Sequence, residues 1–181
     1  PIMDRKMRIE LLGGMTVLLD GQEAPRFRSQ KPPALLAYLA YFRQKHHPRE
    51  VLIEMLWPDA EPEAGRNRLS VTLSRIRTHV GEKSANGSSV IQADRFHLWI
   101  NSRIVQTDVQ EMEDHLEAPA RDAAERIDHL RAAIDLVKGP ILPGYYESWI
   151  AIEQERLNQK IQTAASELIS LLESAGRPEE A

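Results

Sequence analysis

The stretch Glu63–Val80, EAGRNRLSVTLSRIRTHV, constrains this chain more than any other. At the helical period, Leu69, Leu73, Ile76 and Val80 fall within about 60° of one another, the i, i+4, i+7, i+11 stripe of a helix that docks by one face. The other side presents Asn67, Val71, Ser74, Arg75 and Thr78, flanked by Arg66, Arg68 and Arg77, and no acidic residue occurs between Arg66 and Val80. Amides, hydroxyls and guanidiniums on such a face match the edges of a DNA major groove: arginine pairs bidentately with guanine, asparagine with adenine, and a small apolar group meets a thymine methyl. A merely solvated amphipathic helix has the same layout, so the flanking sequence must decide between the two.

Upstream, Met7–Leu12 and Thr16–Leu19 are short β-type runs separated by Gly13-Gly14. Asp20-Gly21 supplies a hairpin turn because both residues tolerate positive φ, and Gln22–Ala24 returns as a third strand before Pro25. Ser29 and Pro32-Pro33 mark a helix start, since proline is tolerated in a first turn. That helix is expected to reach about Arg43 and to bury Leu35, Leu36, Leu39 and Phe42. His47-Pro48 interrupts, and Arg49–Trp57 forms a second, short helix burying Leu52, Ile53, Leu56 and Trp57. Pro58–Pro62 then breaks the pattern ahead of the 63–80 helix. Gly81 closes that helix. Lys83–Ser89 is a polar loop, and Val90–Ile100 reads as a β-hairpin turning near Asp94-Arg95. A sheet, three helices with the third offering a basic polar face, and then a hairpin make up the order of a winged helix-turn-helix.

Beyond the hairpin the pattern becomes helical. Asp108–Leu116 is a short helix capped by Thr107 or Asp108, and Pro119–Lys138 is a longer one with Ile127, Leu130, Ile134 and Val137 as its stripe. Gly139-Pro140 ends it. A third helix spans about Tyr146 to Ala175, with Trp149, Ile152, Leu157, Ile161, Leu168 and Leu172 among its apolar positions, and Gly176–Ala181 reads as a stop followed by a new helix start. Charge divides at the same place. Residues 1–107 carry 16 Lys and Arg against 11 Asp and Glu, a net of +5, whereas residues 108–181 carry 7 against 16, a net of −9. A basic segment suited to a polyanion is thus joined to an acidic one suited to protein partners.

The motifs KPPALLAYLAY and PREVLIEMLWPDAEPEAGRNRLSVTLSRIRTHVG resemble the DNA-binding domain of the SARP family of bacterial transcriptional regulators. TDVQEMEDHLE, GPILPGYYESWIAIEQERL and the AAS to LLESAGRPEEA segment resemble that family's bacterial transcriptional activator domain, a helical array of tetratricopeptide type. The likeness runs over nearly the whole chain from Met7. It departs in one respect: Arg177–Ala181 resembles the start of a repeat that does not follow, and repeat arrays need neighbours to bury their faces. The expected fold is mainly α with small antiparallel β elements. A winged helix-turn-helix domain over residues 7–104 precedes a tetratricopeptide-like α-helical domain over residues 105–181. The resemblance implies a transcriptional regulator, an activator, that binds double-stranded DNA at direct repeats near promoters and contacts RNA polymerase, with a homodimer as a further partner form.

On this reading Asn67, Val71, Ser74, Arg75 and Thr78 are the base-reading candidates, and Arg66 and Arg68 lie on the shoulders, where phosphates are met. Arg77, nearest the buried stripe, serves either a backbone contact or an internal ion pair. Arg95, at the hairpin tip, either enters a minor groove or is an ordinary exposed turn residue. Lys31 resembles a family position near the DNA backbone, with simple solvation as the alternative. Trp57 and Trp99 read as core. Tyr145, Tyr146 and Trp149 serve either packing or a protein contact.

No catalytic or cofactor signature appears: the phosphate-binding loop, the G-x-S-x-G elbow and H-E-x-x-H are all absent. His46-His47 are adjacent and lack a third ligand at metal spacing, and Asp59, Glu61 and Glu63 suit the N-terminus of the following helix, or a surface read by a protein partner, better than acid–base chemistry. With no cysteine, thiolate chemistry and disulfides are excluded. The longest apolar run, Leu35–Phe42, is too short to span a bilayer, and the N-terminus lacks a signal-peptide layout. Pro1–Lys6 is given no role. A non-enzymatic, cytoplasmic protein without membrane association is expected. The rival is a protein-interaction scaffold whose winged helix and repeats bind protein rather than DNA.

Overall fold

The computed structural model describes residues 7–81 and 89–176. Pro1–Lys6, nearly all of the polar loop Lys83–Ser89 and the helix start at Arg177–Ala181 lie outside the described residues. The chain divides into two compact units, residues 1–11 with 15–107, and residues 12–14 with 108–181.

The first unit opens with β1 (Met7–Glu10), β2 (Thr16–Leu19) and β3 (Gln22–Glu23), joined antiparallel in register Met7 to Leu19 and Leu19 to Gln22. Asp20 and Gly21 have φ of 51° and 83°, the two positive values a tight hairpin turn requires. Helix α1 (Lys31–Tyr41) follows, then β4 (His47–Pro48), α2 (Arg49–Leu56), α3 (Pro62–His79), β5 (Ile91–Ala93), β6 (His97–Ile100) and β7 (Val105–Thr107). Two short sheets result. The first has the order β3-β2-β1-β7 and the second β4-β6-β5. Strand β7 runs parallel to β1, with Met7 opposite Val105 and Ile9 opposite Thr107, so all three helices and the hairpin are threaded between two neighbouring strands.

Several elements differ from the sequence reading. The α1 N-cap is Gln30, with no side-chain cap, and Ser29 lies outside the helix. Phe42 is the α1 C-cap and only half-buried, whereas Pro32, Pro33, Ala34, Ala37 and Ala40 join Leu35, Leu36 and Leu39 in the interior. His47-Pro48 is a strand in its own right, paired with His97 and Leu98. Trp57 is half-buried because α2 has already ended at Leu56. Trp99 is half-buried too, on the side of β6 opposite Leu98 and Ile100. Its ring stacks on His46 at 4.1 Å and its Nε1 donates to Gln92 Oε1 at 2.8 Å. Neither indole is a core residue.

The second unit contains α4 (Asp108–Glu117), α5 (Ala123–Asp135) and α6 (Ser148–Ser174), each packed against the next in sequence. Leu12–Gly14 belongs with it: the Leu12 amide donates to the Asp108 carboxylate at 2.9 Å and the Gly13 amide to the Pro140 carbonyl at 2.9 Å. Helix α5 starts at Ala123 rather than Pro119, because Asp122 is its N-cap and accepts from the Glu125 amide at 2.9 Å. Its buried stripe is Ile127, Leu130 and Ala133, with Ile134 half-buried. Helix α6 buries Ile150, Leu157, Ala164 and Leu172, near-heptad spacing on one face, and Ile152 is 67% exposed. Among the described residues no helix is long and apolar enough to cross a membrane.

Candidate nucleic-acid interface

Helix α3 is held by its apolar stripe. Leu69, Leu73, Ile76 and Val80 are 1%, 5%, 0% and 1% exposed, on the side where α1 and α2 pack. Burying side chains of this size contributes about 1.5–3 kcal/mol each, which fixes the helix in rotation as well as in position. Thr72 and Gly65 are also buried on this side, a detail the apolar pattern alone did not reveal. Proline at the start and Gly81 with φ of 72° just beyond the end bound the helix.

The opposite face is open. Asn67, Val71, Ser74, Arg75 and Thr78 are all exposed, with Val71 at 50%. Arg68 is exposed. Arg66 is exposed as well and its Nε lies 3.2 Å from Glu50 Oε1; with both side chains more than 60% exposed, such a pair is weak and readily exchanged. Arg77 is half-buried, and its buried Nε has no hydrogen-bond partner among the described residues. Lys31 is half-buried in the first turn of α1.

The β5–β6 turn is fastened to α2. The Asp94 carboxylate accepts from the Phe96 and His97 amides, both at 2.7 Å, and these bonds hold its carboxyl below the usual carboxylate range. Arg49 donates from Nε and Nη2 to the Asp94 carbonyl at 3.2 and 2.9 Å, and its amide donates to the Phe96 carbonyl at 2.8 Å. The turn therefore presents Arg95 on a braced support. Arg95 is exposed, its guanidinium 5.2 Å from the centroid of the Phe96 ring, which is itself 64% exposed. A cleft of about 250 Å³ separates this turn from α3, with Glu50, Arg66, Ser70 and Arg95 among its lining.

A second basic region, not among the candidates named from sequence, lies at the other end of α3. In the segment between β3 and α1, Arg26 and Arg28 are exposed on either side of half-buried Phe27. The Phe27 ring stacks on His79 at 3.8 Å and 21°, which ties the segment to the last turn of α3. Arg75 and His79 border the same open pocket. The signal available in the sequence was the acid-free run PRFRSQK, which leads into the first residue of α1.

The helical unit carries its charges differently, as paired networks. Glu113 accepts from Arg156 Nη1 and Lys160 Nζ, both at 2.8 Å. Burial is the largest single influence on Glu113 and pushes its carboxyl up, but the two cations together outweigh it and hold it low. Arg126 donates to both Glu167 oxygens at 2.7 and 2.9 Å and to the Leu116 carbonyl at 2.8 Å, joining all three helices. Tyr145 and Trp149 are half-buried and Tyr146 is 90% exposed. Among the described residues no cluster of three or more His, Asp or Glu could hold a metal ion.

The chain thus has the fold of a winged helix-turn-helix unit followed by a tetratricopeptide-like helical unit. No protein-family model and no curated protein matches its sequence. Among solved structures it is similar to Mycobacterium tuberculosis EmbR in complex with a low-affinity phosphopeptide, with a TM-score of 0.77 and 22% identity over 96% of this chain. This chain spans 47% of the length of that one, and at this identity the likeness is one of fold.

Proposed function

We propose that this chain is a sequence-specific DNA-binding transcriptional regulator of SARP type, an activator working in the cytoplasm. The observation that carries the reading is the division of α3: its stripe is buried while Asn67, Val71, Ser74, Arg75 and Thr78 form an open, acid-free face. A rotationally fixed helix of this kind is what major-groove docking needs, and the braced turn at Arg95 has the position of a wing. In this mechanism α3 reads base edges. Arg66, Arg68 and Lys31 hold phosphates, Arg77 acts at the edge of that set, and Arg95 approaches the minor groove. Residues 7–104 form the DNA-binding domain. The acidic helices of residues 105–181 contact RNA polymerase or a second copy bound at a neighbouring direct repeat. The chemistry is binding, with no catalytic step.

The test is duplex binding by the full chain at increasing salt, on a sequence selected from a random library and on a scrambled duplex. Affinity is expected to fall steeply with salt as counterions are released. Arg75→Ala should cost about 1–3 kcal/mol on the selected site and relax one base position, whereas Arg68→Ala should weaken both duplexes alike. Absence of any duplex binding at low salt would refute the reading in favour of a protein-interaction scaffold. Equal losses on both duplexes for both variants would refute the assignment of roles.

A further inference from the structure

We propose that the segment Pro25–Ser29 is a phosphate-gripping arm, in which Arg26 and Arg28 hold one DNA strand beside the C-terminal half of α3. The inference rests on the DNA-binding reading and adds a contact surface that neither helix nor wing supplies.

Three observations converge on it. Arg26, Arg28 and Arg75 surround one open pocket of about 480 Å³, and no acidic residue lines it. None of the three guanidiniums has an ion-pair partner among the described residues, whereas Arg8, Arg66, Arg121, Arg126 and Arg156 each do. Like charges gathered without a counter-charge repel one another, and an anion relieves that repulsion. The segment is also anchored. The Phe27–His79 stack at 3.8 Å fixes its centre on α3, and Pro25 limits the backbone at its start, so Arg26 and Arg28 flank a fastened point rather than a loose loop.

The ligand chemistry follows from the neighbours. Arg75 belongs both to this pocket and to the open face of α3, so a strand seated on that face passes the pocket mouth. Its phosphodiesters are singly charged anions regularly spaced along the strand, suited to two arginines on either side of a single anchoring residue. Contacts of this type orient a duplex without distinguishing its bases.

The test compares the wild-type chain with the double variant Arg26→Ala, Arg28→Ala, using the library-selected duplex and its scrambled counterpart. Both positions are exposed, so thermal unfolding should be unchanged. Removing two phosphate contacts should lower the slope of log K against log salt by about 1.8. The affinity gap between wild type and variant should then shrink about 12-fold between 50 and 200 mM salt. The ratio of selected to scrambled affinity should stay the same, and Arg26→Lys with Arg28→Lys should restore most of the slope. Phe27→Ala, which keeps both charges but releases the anchor, should weaken binding to both duplexes. If the wild type binds steeply with salt and the alanine variant matches it in affinity and slope, the arm is refuted while the DNA-binding reading stands. If the wild type binds no duplex, both fail, and saturable binding of a phosphorylated peptide lost in the alanine variant would assign the pocket to a protein ligand instead.

Discussion

Gly65 offers the sharpest test of how α3 is seated. It is buried in the first turn of the helix, and a Cβ built there would overlap the Cγ2 methyl of Ile53 on α2. Ile53 is only 6% exposed, and its Cγ2 branches directly from Cβ, so it cannot swing away as the end of a long chain could. Gly65→Ala should therefore force a shift of α3 against α2, with an overpacking cost of about 1–3 kcal/mol. Alanine's higher helix propensity offsets up to about 1 kcal/mol of that. A net loss of about 1 kcal/mol is expected, or a fall of about 2–4 °C in Tm for a chain of this size, measured by calorimetry. Ile53→Leu moves the branch one carbon outward and opens the space. In that background Gly65→Ala should become neutral or stabilising, giving a coupling of about 1 kcal/mol or more in a double-mutant cycle. A Gly65→Ala variant that melts higher than wild type, with no coupling to Ile53, would show that the glycine is not required by the crossing of α2 and α3.

Two further outcomes concern the helical unit. Asp122→Ala removes the N-cap of α5, whose carboxylate accepts from the Glu125 amide, and should cost about 1 kcal/mol in urea unfolding, while Asp122→Ser should recover most of it. A cost below a few tenths of a kcal/mol in both variants would mean the cap is replaced by solvent. Glu113 and Glu167 are both held below the usual carboxylate range, so their contribution is present above the unfolded value of about 4.3 and is lost as pH falls through the folded value. Melts followed by far-UV circular dichroism should lose stability with acidification through this window. Glu113→Gln should start from lower stability and lose less, and an acid loss as steep as wild type would exclude Glu113 as a source.

What the sequence revealed of this molecule was governed by range. The rotation of α3 follows from a period of 3.6 residues within one element, so the buried and open sets could be named from Leu69, Leu73, Ile76 and Val80 alone. The Asp20-Gly21 and Gly81 stops are equally local, because positive φ selects the residue type directly. Helix ends were less legible where solvent exposure competes with propensity. Pro119–Arg121 has no bar to helix except that Asp122 caps more effectively, and Ile152 fits an apolar pattern yet faces water because Ile150 and Leu157 set the contact line.

The features the sequence concealed are those made by segments that meet only after folding. His47-Pro48 is too short to read as a strand, and it becomes one because β6 offers it Leu98 and His97. Val105–Thr107 pairs with β1 across nearly a hundred residues, a parallel partner that no local pattern announces. The Phe27–His79 stack belongs to the same class. Before it forms, Arg26 and Arg28 are two basic residues in a connecting segment. Once it forms they share a pocket with Arg75, and a local charge run becomes a defined electrostatic feature beside the open face of α3. Helical periodicity thus identifies which residues of α3 can meet a ligand, whereas the extent of the basic surface around them depends on tertiary contacts that hold flanking segments beside its two ends. At one end this is the Arg49 brace on the Asp94 turn, and at the other the Phe27 stack.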